Sequence, residues 1–143
     1  MNKLILLSLF LITSVTSYAQ PPLSLNLMCQ VNGEIAIMST SGVTNTPISS
    51  LTMSIFVENG TITISDGNNY FINKMRALVE ADRISGYEAW KPGDNDERKQ
   101  SIEINRNTGM VRVVKDIYFS NPTSIIKVNA SGNCEKLANK KKF

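Results

Sequence analysis

From Leu23 the chain alternates strictly between apolar and polar positions. Leu23, Leu25, Leu27, Cys29 and Val31 share one side, and Ser24, Asn26, Met28 and Gln30 share the other. A period of two is the signature of a half-buried β-strand. Asn32-Gly33 then predicts a tight turn, with Ile35 and Ile37 resuming the apolar face in a second strand. Ser39 to Ser50 is Ser, Thr, Gly, Asn and Pro apart from Val43 and Ile48, a composition that predicts a loop. Leu51, Met53, Ile55 and Val57 alternate up to Asn59-Gly60, and Ile62 and Ile64 alternate beyond it. A two-residue hairpin there pairs Val57 with Ile62 and Ile55 with Ile64, with all four on one face. Asp66-Gly67-Asn68-Asn69 ends that strand.

A second hairpin is written nearly as plainly. Ile102 and Ile104 lead into Arg106-Asn107-Thr108-Gly109, and Val111 and Val113 return, so Ile104 should face Val111 and Ile102 should face Val113. Gly109 would take the positive φ that closes such a turn. Between the two hairpins, Tyr70 to Trp90 fits either period: Phe71, Met75, Leu78 and Val79 suit a helical face, while the alternation around Leu78 to Arg83 suits strands. The β character of its neighbours and Gly86 favour strands, with a short helix near 71–80 as the alternative. Lys91 to Gln100, with Pro92-Gly93 and mixed charges, reads as an exposed loop. Tyr118-Phe119 ends a strand before Asn121-Pro122, and Ile126, Val128, Ala130, Gly132 and Cys134 form the last one. Strands at short, regular intervals predict an all-β fold, either an antiparallel sandwich or a small up-and-down β-barrel.

The N-terminus supplies an address. Lys3, the apolar run Leu4 to Ile12 and the small residues Ser17-Tyr18-Ala19 have the three-part form of a secretory signal peptide, cleaved before Gln20. The run is too short for a membrane span of roughly 20 residues, so the mature chain is expected to carry no transmembrane segment. The domain organisation is then a signal peptide over 1–19 and one β domain over 20–143 with a short basic tail, Lys140-Lys141-Lys142. The pattern fits a bacterial export product, periplasmic or secreted. In that oxidising compartment Cys29 and Cys134, the only cysteines, are expected to form a disulfide tying the first strand to the last.

Composition narrows the chemistry. The net charge of +3, one unit of it in the signal peptide, is too balanced for a nucleic-acid-binding surface. The absence of histidine excludes Ser-His-Asp catalysis and removes the commonest metal ligand. Asp66, Glu80, Asp82, Glu88 and Glu103 are available for carboxylate chemistry, but no spacing singles out a pair. The acidic run Asp94-Asn95-Asp96-Glu97 fails the calcium-loop pattern, with Lys99 where glycine is required and Asn105 where glutamate is required. No metal, no cofactor and no catalytic residue is assigned. Tyr87 and Trp90, aromatic residues beside the expected charged loop, are the candidate partner-binding residues.

Cys29 followed by Gly33, the hairpin Ile104 to Gly109 and the closing Gly132-Asn133-Cys134 near the basic end with Phe143 resemble a loose group of small exported β-domain proteins of proteobacteria. That group carries no activity to transfer. The chain is also similar to the periplasmic inhibitors of C-type lysozyme, small exported antiparallel barrels with one early and one late cysteine. Their loop motif, Ser-Gly-x-x-Tyr, has its counterpart in Ser85-Gly86-Tyr87, where the tyrosine follows the glycine directly. The function expected from all of this is non-catalytic binding of a protein, glycan or small ligand of the cell envelope. A carboxylate-based enzyme, an envelope structural subunit and a lysozyme-inhibitor-like protein are the alternatives.

Overall fold

The computed structural model describes residues 24–120 and 122–137. The signal region, its cleavage point after Ala19 and the lysine tail lie outside the described residues. Eight strands follow in chain order: β1 (Ser24–Ser39), β2 (Gly42–Glu58), β3 (Thr61–Ser65), β4 (Lys74–Val79), β5 (Arg83–Gly93), β6 (Asp96–Asn105), β7 (Met110–Ser120) and β8 (Thr123–Lys136). Each pairs antiparallel with the next, and β8 returns to β1, closing an up-and-down barrel. Closure leaves the barrel wall without a free edge wherever all eight strands are present. Of the two architectures the alternation allows, the barrel is the one formed.

The apolar half of each alternating pattern fills the interior. Cys29, Val31, Met53, Ile55, Val57, Ile62, Ile84, Ile102, Ile104, Val111 and Val113 are essentially excluded from solvent. Both expected hairpin registers are present: Val57 pairs with Ile62 and Ile55 with Ile64, and Ile104 pairs with Val111 and Ile102 with Val113. Asn59 and Gly60 both take positive φ, as a type I′ turn requires, and Gly109 takes φ 75°. Cys29 and Cys134 sit directly opposite each other on β1 and β8 and are disulfide-bonded.

Three expectations are corrected, and one alternative is set aside. The stretch near 71–80 forms no helix; it holds the loop into β4 and β4 itself, because Met75 must alternate into the core with exposed Lys74 and Arg76 on either side. Asn32-Gly33 is not a turn, since β1 runs through it. Instead, Asn32 Oδ1 accepts the Ser50 amide at 2.8 Å, at a register shift in the β1–β2 ladder where Ser50 takes φ 51°. Gly33 is required by the opposite seam, where a Cβ would overlap the Asn129 carbonyl oxygen of β8. Ser39 to Ser50 is mostly strand, its polarity reflecting exposure on both faces rather than absence of pairing. Lys91 to Gln100 is the tip of the β5–β6 hairpin, with β6 already begun at Asp96.

The strands are unequal in length, and this shapes one end of the molecule. β3 pairs with β2 only from Ser54 to Glu58, and β4 pairs with β5 only from Ile84 to Gly86. Past Ala77, β4 runs on to Lys74 paired with β3 but no longer laddered to β5, and beyond Ser65 and Lys74 the strands β5, β6, β7, β8, β1 and β2 continue as a contiguous six-stranded wall. The wall is therefore notched between β2 and β5. The loop from Asp66 to Asn73 turns back into the barrel beneath the notch. Asp66 caps it by accepting the amides of Phe71 (2.8 Å) and Asn68 (3.0 Å). Gln100, 1% exposed, accepts the Ile72 amide at 2.7 Å and donates to the Ile72 carbonyl at 3.3 Å, satisfying a buried peptide that has no strand partner. Phe71 completes the plug by joining the core.

Candidate functional site

An open concavity of about 710 Å³ lies on the outer wall where β4 and β5 part. Its depth follows from residue size. Gly86 turns its backbone into the core so closely that a Cβ would lie 2.8 Å from Ile62 Cδ1 and Met75 Sδ. β5 can therefore sit low in the wall. On the outer face Ser85 and Ser101 are small, and larger residues stand around them: Arg76, Leu78, Tyr87, Glu103, Arg112 and Val114. The register places Leu78, Ser85, Glu103 and Arg112 in one row across four strands, and Tyr87, Ser101 and Val114 in the next. Directly opposite cross-strand neighbours contact one another, so each row behaves as a unit of surface.

Tyr87 is 58% exposed and Leu78 is 61% exposed, and both line this groove in successive rows. Tyrosine offers a broad apolar face with a hydroxyl at its edge and little conformational entropy to lose, a combination suited to recognition. Arg76 and Arg112 bring positive charge to the rim, and Glu103, opposite Arg112, brings negative charge. The groove can thus hold an apolar group against Leu78 and Tyr87 while charged neighbours fix its orientation.

Trp90 is elsewhere. An odd separation along a strand puts two side chains on opposite faces, and Trp90 shares the inner face with Gln100. Its row is Trp90, Arg98, Ile117, Ile126, Ile37 and Thr44, running around the inner surface of the six-stranded wall above the plug. The two aromatic residues therefore belong to one strand but not to one surface. Beneath Trp90, Lys115 Nζ donates to the Tyr70 carbonyl at 2.7 Å. Burial holds this ammonium below its usual 10.5, and the positive charge of Arg98 pushes the same way, with Asp66 partly opposing. The sequence pattern singles out neither Gln100 nor Lys115, and not the capping role of Asp66, because nothing in a polar residue's neighbours announces that a distant loop will fold over it.

The remaining carboxylates are dispersed. Glu88 lies on the inner face beside Gln100, and Glu103 on the outer wall. Glu80 pairs with Arg83 at 2.6 Å at the β4–β5 turn that also carries Asp82. Asp96 and Glu97 pair with Arg98 (3.7 Å) and Lys99 (3.0 Å). Ser85-Gly86-Tyr87 lies in the interior of β5 with Gly86 buried, and so does not form a projecting loop. No protein-family model and no curated protein matches the chain.

Proposed function

We propose that this protein is an exported, non-catalytic binding domain of the bacterial envelope that engages its partner through the outer wall around Tyr87. The observation that carries the reading is the pairing of exposed Tyr87 and Leu78 on the rim of a groove of about 710 Å³. Exposed large apolar side chains that line a shaped depression and are framed by arginines are the anatomy of an interface rather than of inert surface. The disulfide between β1 and β8 supports export, since such bonds persist in oxidising compartments. The dispersal of the carboxylates favours binding over acid–base catalysis, which needs two such groups converging on one substrate.

Photocrosslinking in cells tests this directly. A photoreactive residue at position 87 should yield adducts with an envelope component. One at Glu34, exposed in the same register row but on β1, four strands away around the ring of eight, should yield none. Adducts at position 34 equal to those at 87, or none at 87, would remove the Tyr87 wall as the binding face.

A further inference from the structure

We infer that the groove beside Tyr87 takes an acidic oligosaccharide, a chain of sugar rings carrying carboxylates. This deepens the reading of the Tyr87 wall as the binding face and rests on it. The first observation concerns the arginines, of which the chain has five. Arg83 is ion-paired with Glu80 and Arg98 with Asp96, and Arg106 donates to the carbonyls of Glu80 and Ala81. Arg76 and Arg112, the two that line the groove, are the two without an ion pair among the described residues. Arg112 stays unpaired even though Glu103 lies directly opposite it in the ladder. An unpaired guanidinium offers its planar fork of N–H donors to the solvent, in the geometry that receives a carboxylate bidentately.

The second observation is what lies between the two arginines. Ser85 pairs with Leu78 on one side and Glu103 on the other, and Ser101 pairs with Tyr87 and Val114. The backbone of the groove floor is thus taken up by the ladders of the wall itself, and recognition falls to side chains. These are two hydroxyls on the floor, the Tyr87 ring and Leu78 beside them, and a guanidinium towards each end. An extended peptide would find no backbone partner here for its own amides. A saccharide needs none: its hydroxyls meet the serines and Glu103, the C–H face of a ring packs on Tyr87, and its carboxylates reach the arginines. The span of the groove fixes the length of the ligand. Arg76 stands on β4 and Arg112 on β7, three strand spacings or roughly 14 Å apart across the wall, which takes more than one sugar ring to bridge. Glu103 lies between them and offsets one of the two positive charges, so single carboxylates spaced along a chain match the groove better than a dense polyanion.

The test is calorimetric titration of the folded domain with oligomers of galacturonate, glucuronate and mannuronate, each set against the neutral oligomer of the corresponding hexose and against an oligoglutamate of equal charge. At least one hexuronate oligomer should bind, more weakly as salt is raised, and its neutral counterpart and the oligoglutamate should each bind at least about tenfold more weakly. Arg76 and Arg112 are exposed, so Arg76→Gln and Arg112→Gln should fold, and each should weaken hexuronate binding by about fivefold or more. Ser101 is exposed as well, and Ser101→Tyr keeps both positive charges while filling the floor, so it should weaken binding at least as much. Absence of binding to every hexuronate, binding that survives both arginine substitutions or Ser101→Tyr, or equal binding of the oligoglutamate would overturn the acidic saccharide. Recovery of an envelope component that still falls on Tyr87→Ala in that event would leave the Tyr87 wall as a binding face and remove the saccharide alone.

Discussion

Replacing Cys29 and Cys134 together by alanine is expected to cost the folded domain about 2 to 5 kcal/mol, the usual loss for a native disulfide in a small exported domain. The bond closes a sequence separation of 105 residues and joins the two strands whose pairing closes the barrel. Without it the unfolded chain regains the freedom of that long loop, worth on the order of 4 to 5 kcal/mol in the chain-entropy model. Cys29 is also fully buried, so the change removes packed sulfur from the core at the same point. Chemical denaturation should show the midpoint falling, with reducing agent producing the same shift in the wild type and none in the double variant. Coincident curves for wild type and variant would show that the β1–β8 ladder closes the barrel unaided.

The second large effect is expected at Gly132. A Cβ there would fall on the Gln30 carbonyl oxygen of β1, and the obstacle is backbone, which cannot swing aside as a flexible side chain can. Gly132→Ala must therefore push β1 and β8 apart next to the disulfide, and a loss of at least about 3 kcal/mol is expected, at the upper end of what overpacking costs. Gly93→Ala is the matched control, because a Cβ at that position meets nothing within 4 Å. Denaturation midpoints that fall for Gly132→Ala and stay within error for Gly93→Ala would establish the seam as the tight point of the barrel. Equal, small effects at both would contradict it.

These two sites show what a single sequence discloses. The strict alternation in Leu51 to Val57 and Ile102 to Val113 fixes which side chains face inward, and the Asn59-Gly60 and Gly109 turns fix register, because both signals are local. The glycines at 33 and 132 carry a non-local signal. They are required by carbonyl groups about a hundred residues away in sequence, and in the chain itself Asn32-Gly33 imitates a turn. The polar stretch Ser39 to Ser50 looked like a loop because strand pairing satisfies the backbone whether or not a side chain is buried. The same reasoning applies to the site. Tyr87 was visible as an exposed aromatic candidate, and its separation from Trp90 follows from strand parity once β5 is known to be a strand. The groove beside it was not legible, since it depends on where β4 leaves β5 and on the small size of Ser85, Gly86 and Ser101. Gln100 was equally hidden, its role being set by the Asp66 to Asn73 loop folding into the barrel mouth.

If the outer wall at Tyr87 is where a partner is held, recovery of envelope components on the immobilised domain, compared between wild type and Tyr87→Ala, will show it most directly. Tyr87 is mostly exposed, so its truncation should leave the circular dichroism spectrum and the denaturation midpoint unchanged. Recovery of the specifically retained component should fall by at least about tenfold, the loss expected for an aromatic anchor at the centre of an interface. Undiminished recovery on a Tyr87→Ala domain that is fully folded would contradict the account.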